Sequence, residues 1–172
     1  MIVIALPKFI SPLLPQLFEP VWMDLLDLRS RYINEFVTDG GEANGSFQDS
    51  DGDIIGFESL LYAQFEFIVA ASRKKSMKAI FLGQDGNADF LKEMLWVTMS
   101  YMQMTEEQVE MWLTDANQFV ADEEDDTYTY NVRVAAVDLL TVSVEHEGAF
   151  CFSVVVDSLY ILLSMTSSTK GP

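Results

Sequence analysis

Cysteine and histidine are almost missing from this 172-residue chain, which has one of each, Cys151 and His146. A single thiol excludes an internal disulfide, so the chain is not a disulfide-stabilised scaffold. One residue of each type also excludes a zinc site built from histidine and cysteine. A Ser-His-Asp triad would need His146, which lies between Glu145 and Glu147 in a predicted exposed loop. We therefore expect neither a metal nor another cofactor.

Basic residues are scarce as well. Ten Lys and Arg stand against 27 Asp and Glu, which gives a net charge of −17 at pH 7. Such a chain repels the phosphate backbone, so direct nucleic-acid binding is excluded. The hydrophobic fraction of 49% is too high for an acidic disordered chain. The length fits one folded domain or one part of a longer repeat array.

The chain has no clear targeting or membrane segment. Residues 1–7 carry no basic residue, and their apolar run is shorter than the roughly 7–15 residues of a signal-peptide core. Residues 149–165 form the most apolar stretch, but they contain Asp157 and fall short of the about 20 residues of a membrane helix. We expect no membrane partner, and the lone thiol suits a reducing compartment.

Apolar residues recur at steps of three and four, which predicts an all-α fold. We predict helices over 20–37, 54–72, 88–104, 105–113 and 130–144. Pro20 is placed in the first turn of the first helix, and residues 105–108 (TEEQ) fit a capping box. Residues 38–53 are predicted to be a Gly-rich loop, and 105–129 an acidic insertion. Apolar helices at intervals of roughly 40 residues match the spacing of HEAT repeats.

The end of the chain is ambiguous. Phe150–Leu163 is rich in aromatic and β-branched residues, and this pattern fits a strand or an apolar helix equally well. We therefore divide the chain into a helical segment, 1–145, and an apolar tail, 146–172, whose secondary structure the pattern leaves open.

Two segments concentrate the acidic charge. Six acids and no base lie between Asp39 and Glu58, and nine acids and no base lie between Thr105 and Asp126. The simplest interpretation is a solvated surface. The functional interpretation is a surface that attracts basic proteins and speeds their association.

One part of the first segment resembles a calcium loop. Asp49, Asp51 and Asp53 have the spacing of the first three EF-hand ligands, but Ile54 and Leu60 occupy the positions of the required Gly and Glu. We predict instead a solvated loop in which an aspartate caps the helix that begins near Ile54. A catalytic pair of carboxylates is the remaining enzymatic alternative, and no residues single it out, so we predict that the chain is not an enzyme.

Residues 101–140 carry a more specific pattern. They read YMQMTEEQVEMWLTDANQFVADEEDDTYTYNVRVAAVDLL, with a Trp after the TEEQ motif, then a D-x-N-x-x-F-V element, an acidic run and an Arg-bearing helix. This pattern resembles the importin-9-like branch of the importin-β (karyopherin-β) superfamily. Residues 49–68 look similar to the same branch, residues 13–32 do so more loosely, and the resemblance ends at about Val144.

The resemblance implies a HEAT-repeat α-solenoid fragment of about three helix pairs with acidic loop insertions. It implies a nuclear transport receptor that moves between cytoplasm and nucleus. Partners would be basic proteins such as core histones, and in full-length family members also the GTPase Ran, to which we assign no residue here. We predict cargo contacts in the acidic run Asp122, Glu123, Glu124, Asp125 and Asp126, and secondary contacts at Asp49, Asp51 and Asp53. Trp112, Phe119 and Tyr130 are predicted to hold the insertion in place. The alternative is a truncated scaffold fragment without transport activity of its own.

Overall fold

The computed structural model describes residues 7–38, 47, 48, 50, 54–82, 89–123 and 131–168, and helices dominate this part of the chain. The helices are α1 (Pro7–Ile10), α2 (Leu14–Tyr32), α3 (Phe57–Ser72), α4 (Lys78–Leu82), α5 (Asp89–Tyr101), α6 (Glu106–Thr114), α7 (Ala116–Glu123) and α8 (Val132–Ser168). A π-helical turn, Ile33–Thr38, continues α2, and a 3₁₀ turn, Lys75–Met77, precedes α4. The predicted all-α fold is confirmed.

Helix α8 lies at the centre of the packing, because it contacts both α3 and α5, and α2 contacts the same two helices. Helix α3 is apolar around most of its circumference, which requires neighbours on more than one side. Contacts with α2 and α8 meet that requirement, and Leu61, Phe65 and Ile68 are at most 1% exposed.

An aromatic cluster joins three of these helices. The hydroxyl of Tyr101 on α5 donates a hydrogen bond to the carbonyl oxygen of Leu25 on α2 at 2.6 Å. The Tyr101 ring lies 5.0 Å from the Tyr32 ring and 5.2 Å from the Phe65 ring, measured between centroids. Burial raises the pKa of both tyrosines, so they stay neutral and act as hydrogen-bonding core residues.

The predicted start of the first long helix was wrong. Helix α2 begins at Leu14, with Pro15 in its first turn and Pro20 inside it. By local preference alone, either Pro15 or Pro20 could occupy the first turn of a helix. Leu14 and Phe18 are 0% and 2% exposed, so burial of the residues before Pro20 favours the earlier start.

The segment around residues 38–53 contains more order than a loop. Strand β1 (Phe47–Gln48) pairs antiparallel with β2 (Ile54–Ile55). The predicted aspartate cap was wrong, because α3 begins after Gly56. The side chain that contacts the start of this helix is Ser59 instead of an aspartate. Its hydroxyl accepts a hydrogen bond from the Gly56 N–H at 2.8 Å.

The ambiguous tail is helical as far as Ser168. Helix α8 continues through the predicted loop at His146 and through the predicted division after residue 145. Leu139, Val142, Cys151, Val154 and Ser158 are buried along it. No atom outside the helix lies within 4 Å of the position where Gly148 would carry a Cβ, so this glycine is not required by close packing.

Candidate functional site

The site of interest is the helical hairpin formed by α6 and α7, and its first element is the start of α6. The predicted capping box is present: the Gln108 N–H donates to the Thr105 hydroxyl at 3.2 Å, and the Thr105 N–H donates to the Gln108 side chain at 3.1 Å. Two backbone N–H groups that the helix leaves open are thereby satisfied. Helix α6 also contacts the π-helical turn after α2, so the capped end has a fixed position.

The turn between the two helices is set by Asp115. Its carboxylate accepts a hydrogen bond from the Asn117 N–H at 2.9 Å, which starts α7. The Trp112 and Phe119 rings then meet edge to face, with 4.9 Å between their centroids. The Arg133 guanidinium carbon lies 5.4 Å from the centre of the Trp112 ring and links the hairpin to the beginning of α8. These contacts agree with the structural role predicted for Trp112 and Phe119.

The hairpin presents carboxylates around a groove of about 350 Å³. Glu107, Glu110 and Asp115 line this groove, and none of the described residues that line it is basic. All three side chains are exposed. The geometry provides a negative, water-accessible concavity that suits a cationic partner.

A fourth carboxylate adds to this surface from a distant part of the sequence. Burial raises the pKa of Glu58, in the first turn of α3, and the negative charge of Glu107 raises it further. Glu58 and Glu107, one from each base-free segment, therefore lie close enough for their charges to interact. We call Glu58, Glu107, Glu110 and Asp115 the acidic face.

Exposed apolar side chains accompany the acidic face on the same two helices. Leu113 is 82% exposed, Val120 54%, Phe119 46% and Met111 40%. Met111 also lines the groove itself. A cationic partner with an apolar side is thus offered both charge and hydrophobic contact.

The predicted contact residues are only partly placed. Asp122 and Glu123 lie in the last turn of α7, and their side chains are not described. Glu124, Asp125 and Asp126, the secondary set Asp49, Asp51 and Asp53, and Tyr130 all lie outside the described residues. The carboxylates that the structure does position, above all Glu58, were not predicted as contacts. The base-free run from Asp39 to Glu58 was the signal that contained Glu58.

Within the described ranges, no group of three or more His, Cys, Asp or Glu side chains is arranged to hold a metal ion. None of the helices described there is both long enough and apolar enough to cross a membrane.

Comparison with known proteins shows which proteins this chain resembles. A model of the importin-9 central HEAT repeats matches residues 85–169. Importin-9 of Drosophila melanogaster is 25% identical over 168 residues, which cover 96% of this chain. The chain is importin-9-like. It is an all-α segment of the HEAT-repeat type, and it spans 16% of the length of the Drosophila relative.

The match to the importin-9-like family extends further than expected. The family model runs to residue 169, whereas the sequence resemblance was predicted to end at about Val144. The apolar stretch after Val144 is therefore part of the importin-9-like pattern. Its continuous helix in α8 agrees with that.

Proposed function

We propose that this importin-9-like chain contributes an acidic docking surface to a nuclear transport receptor and binds basic protein cargo of the core-histone kind. The observation that carries the proposal is the acidic face. Three exposed carboxylates line one groove on α6 and α7, and burial, together with the charge of Glu107, raises the pKa of Glu58. The receptor would carry such cargo between cytoplasm and nucleus.

The binding follows from many weak contacts. Each exposed ion pair contributes only about 0–1 kcal/mol, because water and side-chain entropy oppose it. Tight binding therefore requires several pairs, and the acidic run 122–126 would add five carboxylates beside the hairpin. The exposed apolar residues of α6 and α7 would supply contacts that salt does not screen.

The test is a titration of the 172-residue chain with core-histone dimers at several salt concentrations. The groove variant carries Glu107→Gln and Glu110→Gln together. The control variant carries Glu19→Gln and Glu93→Gln, which remove two exposed carboxylates from α2 and α5. On the weak-pair arithmetic above, we expect the groove variant to raise Kd three- to tenfold and the control variant to change it less than twofold. Equal effects of the two variants would show that net charge alone drives the binding.

The predicted acidic run is tested separately. Changing Asp122, Glu123, Glu124, Asp125 and Asp126 to Asn or Gln should raise Kd and reduce its salt dependence, because counter-charges are lost. Undiminished histone binding would remove this run from the proposed surface. We propose that control by the GTP form of Ran reaches this surface only through the rest of the receptor, so Ran-GTP should not release histones from the isolated chain.

The second candidate is a scaffold segment that binds no cargo by itself. The supporting observation is that the chain spans only 16% of the Drosophila relative, so that transport would depend on the other repeats. A nuclear import assay in permeabilised cells distinguishes the two. Accumulation of labelled histone with the 172-residue chain supports a transport role, whereas the absence of both histone import and histone binding supports the scaffold.

A further inference from the structure

A second concave site lies away from the hairpin, where α3 ends and where α5 and α8 both contribute a wall. It has a volume of about 430 Å³, within the roughly 300–1,000 Å³ range typical of ligand pockets. Its floor is apolar and consists of Phe81, Leu91, Met94 and Val142. These four side chains come from α4, α5 and α8 and are themselves at most 6% exposed, so the floor is a preformed part of the core.

The rim of this pocket has the opposite charge to the rest of the molecule. Arg73, Lys74, Lys75 and Lys78 line it, and they are four of the ten basic residues in a chain of net charge −17. Among the described residues that line the pocket, none is acidic. We call this site the basic pocket.

Three of the rim cations, Arg73, Lys74 and Lys75, differ from Arg31 and Lys92 in their pairing. Arg31 is paired with Glu35 at 2.8 Å, and Lys92 with Asp89 at 2.9 Å. In the described part of the chain, no carboxylate forms an ion pair with Arg73, Lys74 or Lys75. Three clustered cations without a carboxylate partner there repel one another, and an anionic ligand would relieve that repulsion.

Complementing the helix dipole explains only part of this arrangement. Arg73 is the C-cap residue of α3, where a positive charge interacts favourably with the last carbonyl groups. Lys75 and Lys78 follow in the 3₁₀ turn and in α4, beyond the last turn of α3. The helix dipole also gives no reason for an apolar floor beneath the cations.

We propose that the basic pocket binds an acidic protein segment that inserts one bulky apolar side chain between flanking carboxylates. The apolar side chain would occupy the floor, and its neighbouring Asp or Glu residues would pair with the rim. A rim that extends over six residues matches an extended segment better than a small anion. Three of the four cations are lysines, which act as point charges, whereas bidentate recognition of phosphate favours arginine. This site goes beyond the proposed docking of basic cargo, because it selects the opposite charge.

The test measures binding of a fluorescent acidic peptide with a central Phe between Glu residues to the full 172-residue chain by anisotropy. The variant Lys75→Glu reverses an exposed rim charge. Lys92→Glu changes the net charge equally on an exposed face of α5 outside the pocket. We expect Lys75→Glu to raise Kd at least fivefold and Lys92→Glu to raise it less than twofold, with unchanged circular dichroism in both.

A second measurement needs no protein variant. Replacing the central Phe of the peptide with Ser should raise Kd at least fivefold, since the floor then loses its ligand. Equal effects of the two charge reversals, or equal binding of the Phe and Ser peptides, would overturn the proposal. Displacement of the peptide by equimolar inorganic pyrophosphate would also overturn it, because the pocket would then be a simple phosphate site.

Discussion

Removing one buried hydroxyl gives the sharpest test of how the helices are held together. Tyr101 is 0% exposed, and its hydroxyl donates at 2.6 Å to the Leu25 carbonyl oxygen on α2. Tyr101→Phe removes this bond and keeps the ring that packs against Tyr32 and Phe65. Leu25 lies inside α2, where its carbonyl oxygen also accepts a helical hydrogen bond, so it is not left unsatisfied.

The expected loss is that of one buried neutral hydrogen bond, about 1 kcal/mol in the free energy of unfolding. For a chain of this size, that loss lowers Tm by roughly 2–4 °C. Urea unfolding followed by circular dichroism measures it. Tyr160→Phe is the matched control, because Tyr160 is 73% exposed and the same substitution there should leave stability unchanged. If Tyr101→Phe unfolds at the same urea concentration as the unmodified chain, the hydrogen bond between α5 and α2 does not stabilise the fold.

Three further changes test other parts of the structure. Thr105→Ala should weaken α6 by about 1 kcal/mol, because the cap is lost, and hydrogen exchange of the α6 amides should become faster. The pKa of Glu58 is raised above its ordinary value of 4.5, so the folded state binds a proton more readily than the unfolded state and stability falls as pH rises from 4.5 through the raised pKa. Glu58→Gln should remove that part of the decline when unfolding is measured up to neutral pH. Leu139→Ala should cost about 2–5 kcal/mol, since Leu139 is 0% exposed, whereas Leu159→Ala, at a site 46% exposed, should cost much less.

Each of these predictions would be contradicted by a specific result. Uniformly faster exchange along the whole chain after Thr105→Ala would mean that the cap stabilises the global fold rather than α6. An unchanged pH profile for Glu58→Gln would mean that neither burial nor Glu107 affects this carboxyl. Equal losses of unfolding free energy for Leu139→Ala and Leu159→Ala would contradict the difference in burial between these two residues of α8.

Locally determined features were predictable from the sequence. The capping box at Thr105 and the start of α7 after Asp115 depend on side chains two or three residues from the amides they bind, so their spacing alone predicts them. The all-α fold followed in the same way from apolar periodicity. The start of α2 was not predictable, because Pro15 and Pro20 meet the same local rule and the burial of Leu14 selects between them.

The continuation of α8 could not be predicted from the sequence, because the pattern of Phe150–Leu163 fits a strand or an apolar helix equally well. Ser143 and Ser158 are buried in this helix, at 5% and 6% exposed. The Ser143 hydroxyl donates to the Leu139 carbonyl oxygen at 2.7 Å, so this buried serine has a partner within the helix. The helix also contains Gly148, which it tolerates at a cost of about 1 kcal/mol.

The composition of the candidate site was predictable, and its assembly was not. The acidic segments were visible as base-free runs, but the approach of Glu58 to Glu107 depends on how α3 and α6 are placed in the fold. The basic pocket is a similar case. Its four cations are evident in the sequence, whereas its floor comes from three helices that are far apart along the chain.

The buried thiol of Cys151 reports on local opening of α8. Cys151 is 0% exposed and is the one cysteine of the sequence, and its Sγ donates to the Ser143 carbonyl oxygen at 3.2 Å. A thiol reagent therefore reacts with a single atom, and only after α8 separates from its neighbours. When reclosing is faster than labelling, each tenfold slowing relative to the unfolded chain corresponds to about 1.4 kcal/mol of opening free energy. The opening free energy of α8 can thus be measured with a thiol reagent and without any substitution.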